Sequence, residues 1–417
     1  MIFNRDSYLK KIIAKMHSSH IKIITGVRRC GKSYLLKNLF VSYLKSIGIE
    51  DEQIIIIELD DDRFEDLRDK KALREYIEKK ASEDKQYYII IDEIQMAEGF
   101  EGTVISLNNH SNYDVYITGS NSKFLSKDIF TGFKDRGVEI RIHPLSYAEF
   151  YENYTGDRHF ALNEYLMYGG MPYLVNETDE NEKIKYLQNL ITSTYLTDVV
   201  ERNHVKLPEE LSSVFDVLCS ASGSLVNPSG IAGTLLAEKH IKIDNETVFS
   251  YIQYFEDAFL FEKARRYNIK GKAYLNSPAK YYPEDIGLRN ARINFRQQDI
   301  GFGIENVVYN ELRIRGYLVD VGMLETRERN AEGKQIYKQK EVDFIARQGS
   351  KEYYIQVMDK IPEGIHGDNE YDSLRKTPGS FKKIAVINSS FKAYTNGDGI
   401  LIVSLEEFLL NADSLNL

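Results

Sequence analysis

Eight consecutive residues, Gly26-Val27-Arg28-Arg29-Cys30-Gly31-Lys32-Ser33, spell G-x-x-x-x-G-K-S. The two glycines let the main chain curl so that successive N–H groups point into one concavity, which suits phosphate oxygens. Lys32 then reaches the β- and γ-phosphates, and the Ser33 hydroxyl ligates Mg²⁺. Tyr34 opens the helical stretch that follows, and its positive dipole end adds to the field. The run from Gly26 through Val27, Arg28, Arg29, Cys30, Gly31, Lys32 and Ser33 to Tyr34 is therefore the expected cradle for a nucleoside triphosphate. The plainer alternative is a glycine turn that only joins strand to helix.

A second chemical group lies downstream, where the apolar run Tyr87-Tyr88-Ile89-Ile90-Ile91 ends in Asp92-Glu93. Asp92 is expected to hold the Mg²⁺, directly or through water, and Glu93 to polarise the water that attacks the γ-phosphate. An Asp-Glu pair favours hydrolysis over phosphoryl transfer to a metabolite. The run Asp114–Thr118 ends in Gly119-Ser120-Asn121, where Ser120 and Asn121 are candidates for contact with the γ-phosphate. Both residue types also follow strands simply as turn formers. Arg136, just ahead of Val138–Ile142, is a candidate finger that reaches a nucleotide in its own or a neighbouring subunit. Its plain alternative is a solvated surface arginine.

These side chains need a scaffold that gathers strand ends. Ile21–Thr25, Ile54–Leu59, Tyr87–Ile91 and Asp114–Thr118 are short and apolar, without strict alternation, as central parallel strands covered on both faces should be. Ligands of such sheets bind beyond the carboxyl ends of the strands. The acidic run Asp60-Asp61-Asp62 is a candidate for helping to place metal, its plainer reading being a solvated loop end. Apolar positions in 7–17 and again through 148–203 recur at helical spacing. The second stretch predicts a helical lid.

With these residues in place, positions 21–150 resemble the AAA+ ATPases. The likeness is closest to a bacterial and archaeal branch sharing G-V-R-R-x-G-K-S, I-I-D-E-I-Q, I-T-G-S and P-L-S-x-x-E-F, here Gly26–Ser33, Ile90–Gln95, Ile117–Ser120 and Pro144–Phe150. It extends through Tyr168-Gly169-Gly170-Met171-Pro172 and Tyr195–Arg202. It implies ATP rather than GTP, since no guanine-reading motif is evident, and the ATPase reaction to ADP and phosphate.

Composition sets the bounds. At 417 residues the chain has room for two to four domains, and 42% hydrophobic with 28% charged residues is ordinary for a globular protein. Cys30 and Cys219 are too few for a disulfide framework, and a thiol inside the phosphate loop suits a reducing, cytoplasmic compartment. No signal peptide or apolar run of bilayer length is expected, so no membrane partner is. The net charge of −9 argues against indiscriminate coating of nucleic acid.

Residues 205–285 read as a winged helix. Leu211, Val214, Phe215 and Leu218 mark one helix; Asn227-Pro228 opens a second; Val248, Tyr251, Ile252 and Phe255 mark a third. Leu260–Tyr267 and Lys272–Leu275 would pair as the wing. The third helix is nearly free of basic residues, while Lys239, His240, Lys242, Lys263, Arg265, Arg266, Lys270 and Lys272 flank it as candidate phosphate contacts. DNA or a protein is the partner class implied.

The last third begins with an amphipathic helix around Glu305–Leu312, then Leu318–Val321, Glu341–Ala346 and Tyr353–Met358. This layout is similar to the PD-(D/E)XK nuclease fold, in which a helix glutamate and two strand residues hold Mg²⁺ and a lysine assists the attacking water. Glu305, Asp343 and Gln356 match the ligand positions, as a second metal site, but Met358 stands at the lysine position. Lys360, if on the same strand, would share the face of Gln356 and Met358.

The expected fold is thus α/β: an AAA+ P-loop parallel-sheet core (1–150), a helical lid (151–204), a winged-helix domain (205–289) and a nuclease-like α/β domain (290–417). The expected function is an ATP-hydrolysing molecular switch, with Lys32, Glu93, Asn121 and Arg136 catalytic and Ser33 and Asp92 on the metal. It is coupled to a winged helix and a degenerate nuclease fold, with homo-oligomers among the expected assemblies. The alternatives are an ATP-regulated, Mg²⁺-dependent DNA nuclease and a non-catalytic nucleotide-sensing scaffold.

Overall fold

The computed structural model describes residues 3–82, 84–119, 133, 136–296, 300–329, 335–361, 371–379 and 381–417. The chain divides into two compact units: Met1–Pro144 with Asp257–Phe259, and Leu145–Glu256 with Leu260–Leu417. Among the described residues no helix is long and apolar enough to cross a membrane.

The first unit is built on five strands: β1 (Ile21–Thr25), β2 (Ile54–Glu58), β3 (Tyr87–Asp92), β4 (Tyr113–Thr118) and β5 (Gly137–Arg141). Their order is β2-β3-β4-β1-β5 and every pairing is parallel. β1 and β3 are buried along their whole lengths, which explains their unalternating apolar runs. Ile21, Ile23, Ile57, Ile89, Ile91, Val115 and Ile117 form one core cluster with Leu73, Ile77, Val104 and Leu107 from flanking helices. At the amino-terminal edge of this sheet lies a fully buried ion pair. Lys22 Nζ donates to Asp114, which also accepts from Tyr116 Oη (2.8 Å) and the His17 amide (2.9 Å). Burial pushes the Lys22 ammonium below its ordinary pKa against the pull of Asp114. Such a pair costs desolvation but fixes which strands lie together.

The second unit opens with the helical region expected from the sequence. Its helices are Tyr147–Asn153, Ala161–Tyr168 and Glu180–Asn189, the last continuing through a π-helical stretch, Leu190–Leu196, into Thr197–Arg202. The Tyr168–Pro172 motif proves to be a packing device: the Gly170 amide donates to the buried Asp285 (2.7 Å), and Asp285 caps helix Ile286–Arg292 through the Leu288 amide.

Helices Pro208–Ser220, Pro228–Lys239 and Asn245–Asp257 follow in the expected order. Asn227 caps the second (2.7 Å to the Gly230 amide), and Leu211, Val214, Phe215 and Leu218 are buried as the spacing requires. An antiparallel hairpin comes next, β6 (Phe261–Asn268) and β7 (Ala273–Pro283), with an isolated bridge between Val226 and Ala279.

This hairpin is where the structure departs from the sequence reading. Instead of standing apart as a wing, it joins an eight-stranded sheet with β8 (Leu318–Arg329), β9 (Gln335–Gln348), β10 (Lys351–Met358), β11 (Lys382–Ile387), β12 (Tyr394–Thr395) and β13 (Leu401–Ser404). The order is β12-β13-β11-β10-β9-β8-β6-β7. Arg266, Tyr267 and Asn268 pair in parallel with Val321, Gly322 and Met323, so the boundary drawn at 289/290 cuts through one hydrogen-bonded sheet. The physical reason is edge satisfaction: β6 has a free edge beyond β7, and β8 supplies the missing partners. No local pattern advertises a pairing between segments so far apart in sequence.

Candidate functional site at the strand ends

The phosphate loop connects β1 to a helical run that starts at Lys32 and passes through a π-helical stretch, Leu35–Phe40, to Ser46. Gly26 has φ +139°, and a Cβ there would stand 2.0 Å from the Ile142 carbonyl oxygen, so only glycine fits. Gly31 caps the helix at φ +104°. Val27 and Cys30 are fully buried, with Cys30 Sγ donating to the Ile142 carbonyl (3.3 Å), so these two members of the cradle offer main chain only. The side chains of Arg28 and Arg29 are exposed, whereas Ser33 and Tyr34 are half-buried. Lys32 is 4% exposed, and its ammonium donates to the carbonyls of Gly26 (3.0 Å) and Val27 (3.1 Å), within its own loop.

β4 lies between β1 and β3, so the ends of all three strands converge. Asp92 ends β3 and is buried; its Oδ1 accepts from the Thr118 hydroxyl (2.5 Å) at the end of β4. That same hydroxyl accepts from the Glu93 amide (3.0 Å). Glu93 takes a left-handed conformation, φ +51°, which is uncommon for a residue with a Cβ. Its carboxylate accepts from Gln95 Nε2. The turn thereby separates the two neighbouring acids: Asp92 stays with the sheet while Glu93 is half-buried and held from the loop side.

Three members of this cluster escaped sequence reasoning. Thr118 was passed over for the Ser120 and Asn121 that follow it; those two lie outside the described residues. Glu58 stands directly beside Asp92 in the β2–β3 register. Lys37, on the helical run after the loop, donates to Glu58 and lies 3.4 Å from Asp92 Oδ2. Burial lowers the Lys37 pKa, but the Glu58 and Asp92 carboxylates outweigh it and hold the ammonium above its ordinary value. The signal was available: Glu58 ends its strand as Asp92 does, and Lys37 follows Ser33 by one helical turn. Of the acidic run, Asp61 is held by Arg63, whose guanidinium lies 2.7 Å away.

Arg136 sits elsewhere. Its carbonyl accepts from the Ile21 amide at the start of β1, and its guanidinium donates to Asn109 Oδ1 (2.8 Å). The phosphate loop is at the other end of the five-residue β1, roughly 16 Å away at the usual rise of a strand. Arg136 thus stands at the end of β1 opposite the phosphate loop.

In the second unit Glu305, Asp343 and Gln356 do come together. Asp343 Oδ2 accepts from Gln356 Nε2 (2.8 Å) and from the Val357 amide (2.7 Å). Glu305 Oε1 accepts from Tyr282 Oη (2.5 Å) and from Lys280 Nζ (2.8 Å). Lys280 also reaches Glu341 Oε1 at 2.7 Å. Burial and the nearby Glu305 charge push the Asp343 carboxyl well above the usual range. Met358 is buried in the core, and β10 ends there, leaving Lys360 exposed beyond the strand. The displaced-lysine idea fails for that reason; the amine in this cluster is Lys280, from β7. Among the described residues no group of three or more His, Cys, Asp or Glu is disposed to hold a metal ion.

Residues 18–151 match a family model described as an AAA domain, and residues 159–299 match one described as a domain of unknown function (DUF8612). An uncharacterized protein of Haemophilus influenzae is 37% identical over 98% of this chain and 99% of its own. Uncharacterized protein MJ1544 of Methanocaldococcus jannaschii is 30% identical over 95% and 86%. Among solved structures, Cdc6p from Pyrobaculum aerophilum matches 71% of this chain and 96% of its own at 12% identity and TM-score 0.30. The Aeropyrum pernix ORC2 protein in its ADP form matches 62% and 84% at 10% identity and TM-score 0.35.

Proposed function

This chain belongs to one family with the Haemophilus and Methanocaldococcus proteins, its amino-terminal unit an AAA+ P-loop nucleotide-binding domain, and we propose that it is an ATP-hydrolysing molecular switch. The observation that carries this reading is the convergence of Gly26–Ser33, Asp92, Glu93 and Thr118 at adjacent strand ends. The loop amides and Lys32 bind the phosphates. Ser33 and Asp92 supply hard oxygen donors of the kind Mg²⁺ takes, and a bound Mg²⁺ would neutralise charge on the β- and γ-phosphates. Thr118 holds one Asp92 oxygen in place through its hydroxyl. Glu93, turned away from Asp92 by its left-handed backbone, accepts the proton of the attacking water. Lys32 would exchange its loop carbonyls for phosphate oxygens, a stronger, charge-assisted bond.

The second unit is the output. The three helices and the Val226–Ala279 bridge are compatible with a winged-helix-like module whose hairpin is built into the last sheet. Lys263, Arg265, Arg266, Lys270 and Lys272 lie along its hairpin, where they suit phosphates of DNA better than base edges. Arg136, remote from its own loop, is left a role toward a neighbouring subunit in a homo-oligomer. The cluster of Glu305, Asp343 and Gln356 is read as a degenerate nuclease site, since the amine among them, Lys280, is tied to two glutamates.

Calorimetric titration with ATP and Mg²⁺, followed by phosphate release, tests the proposal. Wild type should bind and turn over. Glu93→Gln should bind ATP and lose about 10²–10⁴-fold in rate, the usual worth of a general base. Equal, negligible rates for the two proteins would leave a nucleotide-sensing scaffold, and absent binding would sink both readings.

A further inference from the structure

The C-terminal carboxylates are joined by an ammonium that no motif pointed to. Lys280 is 4% exposed, yet it lies on β7, which the sheet order separates from β9 by β6 and β8. The sheet must curl for Lys280 to reach Glu341 on β9 (2.7 Å) and Glu305 on helix Ile300–Ile314 (2.8 Å). Tyr282, two residues on and on the same face of β7, adds a hydrogen bond to the same Glu305 oxygen (2.5 Å). Burial alone would push the Lys280 ammonium down; Glu305, Glu341 and Asp343 together raise it above its ordinary value, so the charge stays on.

We propose that Lys280 is the resident cation of this cluster, a tethered ammonium doing the charge-balancing work that a diffusible divalent ion would otherwise do among Glu305, Glu341 and Asp343. A lysine offers three N–H donors and no acceptor, and two of these are spent on the two glutamates. Among the other ligand candidates, Asp343 Oδ2 is occupied by Gln356 and the Val357 amide, and Gln356 Oε1 by the Ser373 hydroxyl (3.1 Å). A metal ion would have to displace a buried positive charge already paired with two glutamates. The consequence is structural: one ammonium ties together the hairpin, the helix and β9. This inference stands apart from the phosphate loop and from ATP turnover.

The test uses full-length, nucleotide-free protein carrying Lys32→Ala and Asp92→Asn, so that the first unit contributes no metal site. Mn²⁺ is the probe, followed by electron paramagnetic resonance and by thermal unfolding. With Lys280 present, no Mn²⁺ should bind at the cluster and the unfolding midpoint should ignore it. Lys280→Met should lower the midpoint by roughly 5–15 °C, as loss of one partner of a buried pair does. It should also gain one Mn²⁺ that is lost again on adding Asp343→Asn. Should Lys280→Met fail to fold, Lys280→Met with Glu305→Gln, which restores charge balance, should recover the fold; failure of that double variant would overturn the proposal. So would Mn²⁺ bound by the Lys280 protein and lost in Asp343→Asn, an unchanged midpoint in Lys280→Met, or Mg²⁺-dependent oligonucleotide cleavage that Lys280→Met abolishes.

Discussion

Lys37 and Lys280 both sit among carboxylates, and their surroundings set them apart. Lys37 lies beside Glu58 and Asp92 with 28% of its side chain exposed, at strand ends that open toward a loop. Lys280 lies between Glu305 and Glu341 with 5% exposed, under a helix and inside a curled sheet. Charge pairing near solvent is weak because water competes for both partners, so Lys37 is free to trade one carboxylate for another ligand. Pairing in the interior is hard to undo, because each freed charge must be left without water. The same residue types thus make a partly exposed cluster in one unit and a buried one in the other.

The sharpest break in that contrast would come at the phosphate site. Lys32→Ala should abolish ATP binding in calorimetry, and Gly26→Ala should do nearly the same, since its Cβ meets the Ile142 carbonyl oxygen. If either variant binds ATP as wild type does, the amino-terminal cluster is not a nucleotide site. Next in size, Lys280→Met should cost about 3–5 kcal/mol of stability, measured by denaturant unfolding.

Asp285 offers a smaller effect with a defined sign. Burial pushes its carboxyl up to about 6, against the amides of Gly170 and Leu288 that favour the anion. Its folded-state pKa therefore lies above the unfolded value of about 3.9. A raised acid contributes stability below about pH 4 and loses it as the pH climbs through about 6. Asp285→Asn should cost about 1–3 kcal/mol at pH 4, because one amide donor then faces an NH₂ group. That deficit should shrink between pH 4 and pH 7; a deficit that grows with pH would show the anion to be the native form. Smallest of all, Lys37→Met should shift stability by less than about 1 kcal/mol. A loss as large as that of Lys280→Met would erase the distinction between the two lysines.

Much of the phosphate site was legible in advance because its chemistry is local in sequence. Loop, lysine and serine are contiguous, and Asp92 and Glu93 close one strand. What stayed hidden there were neighbours brought in by strand order: Thr118 from β4, Glu58 through its register with Asp92, and Lys37 from the helical run. Arg136 was legible as an arginine before a strand, but only the sheet showed that it begins at the edge away from the loop.

The cluster of the second unit divides in the same way. Glu305, Asp343 and Gln356 were found by matching helix and strand positions, and they do meet. Lys280 had no such handle, since it belongs to a hairpin that reads as a separate module.

The sequence by itself determined the phosphate loop, the acids that follow β3, the helix caps and the order of elements, because each depends on residues a few positions apart. Tertiary structure alone decided that the hairpin belongs to the last sheet and that a lysine from it sits among the glutamates. Parallel pairing and charge burial depend on which distant segments share an edge, and hydrophobic patterning along a strand marks its faces without naming its neighbour.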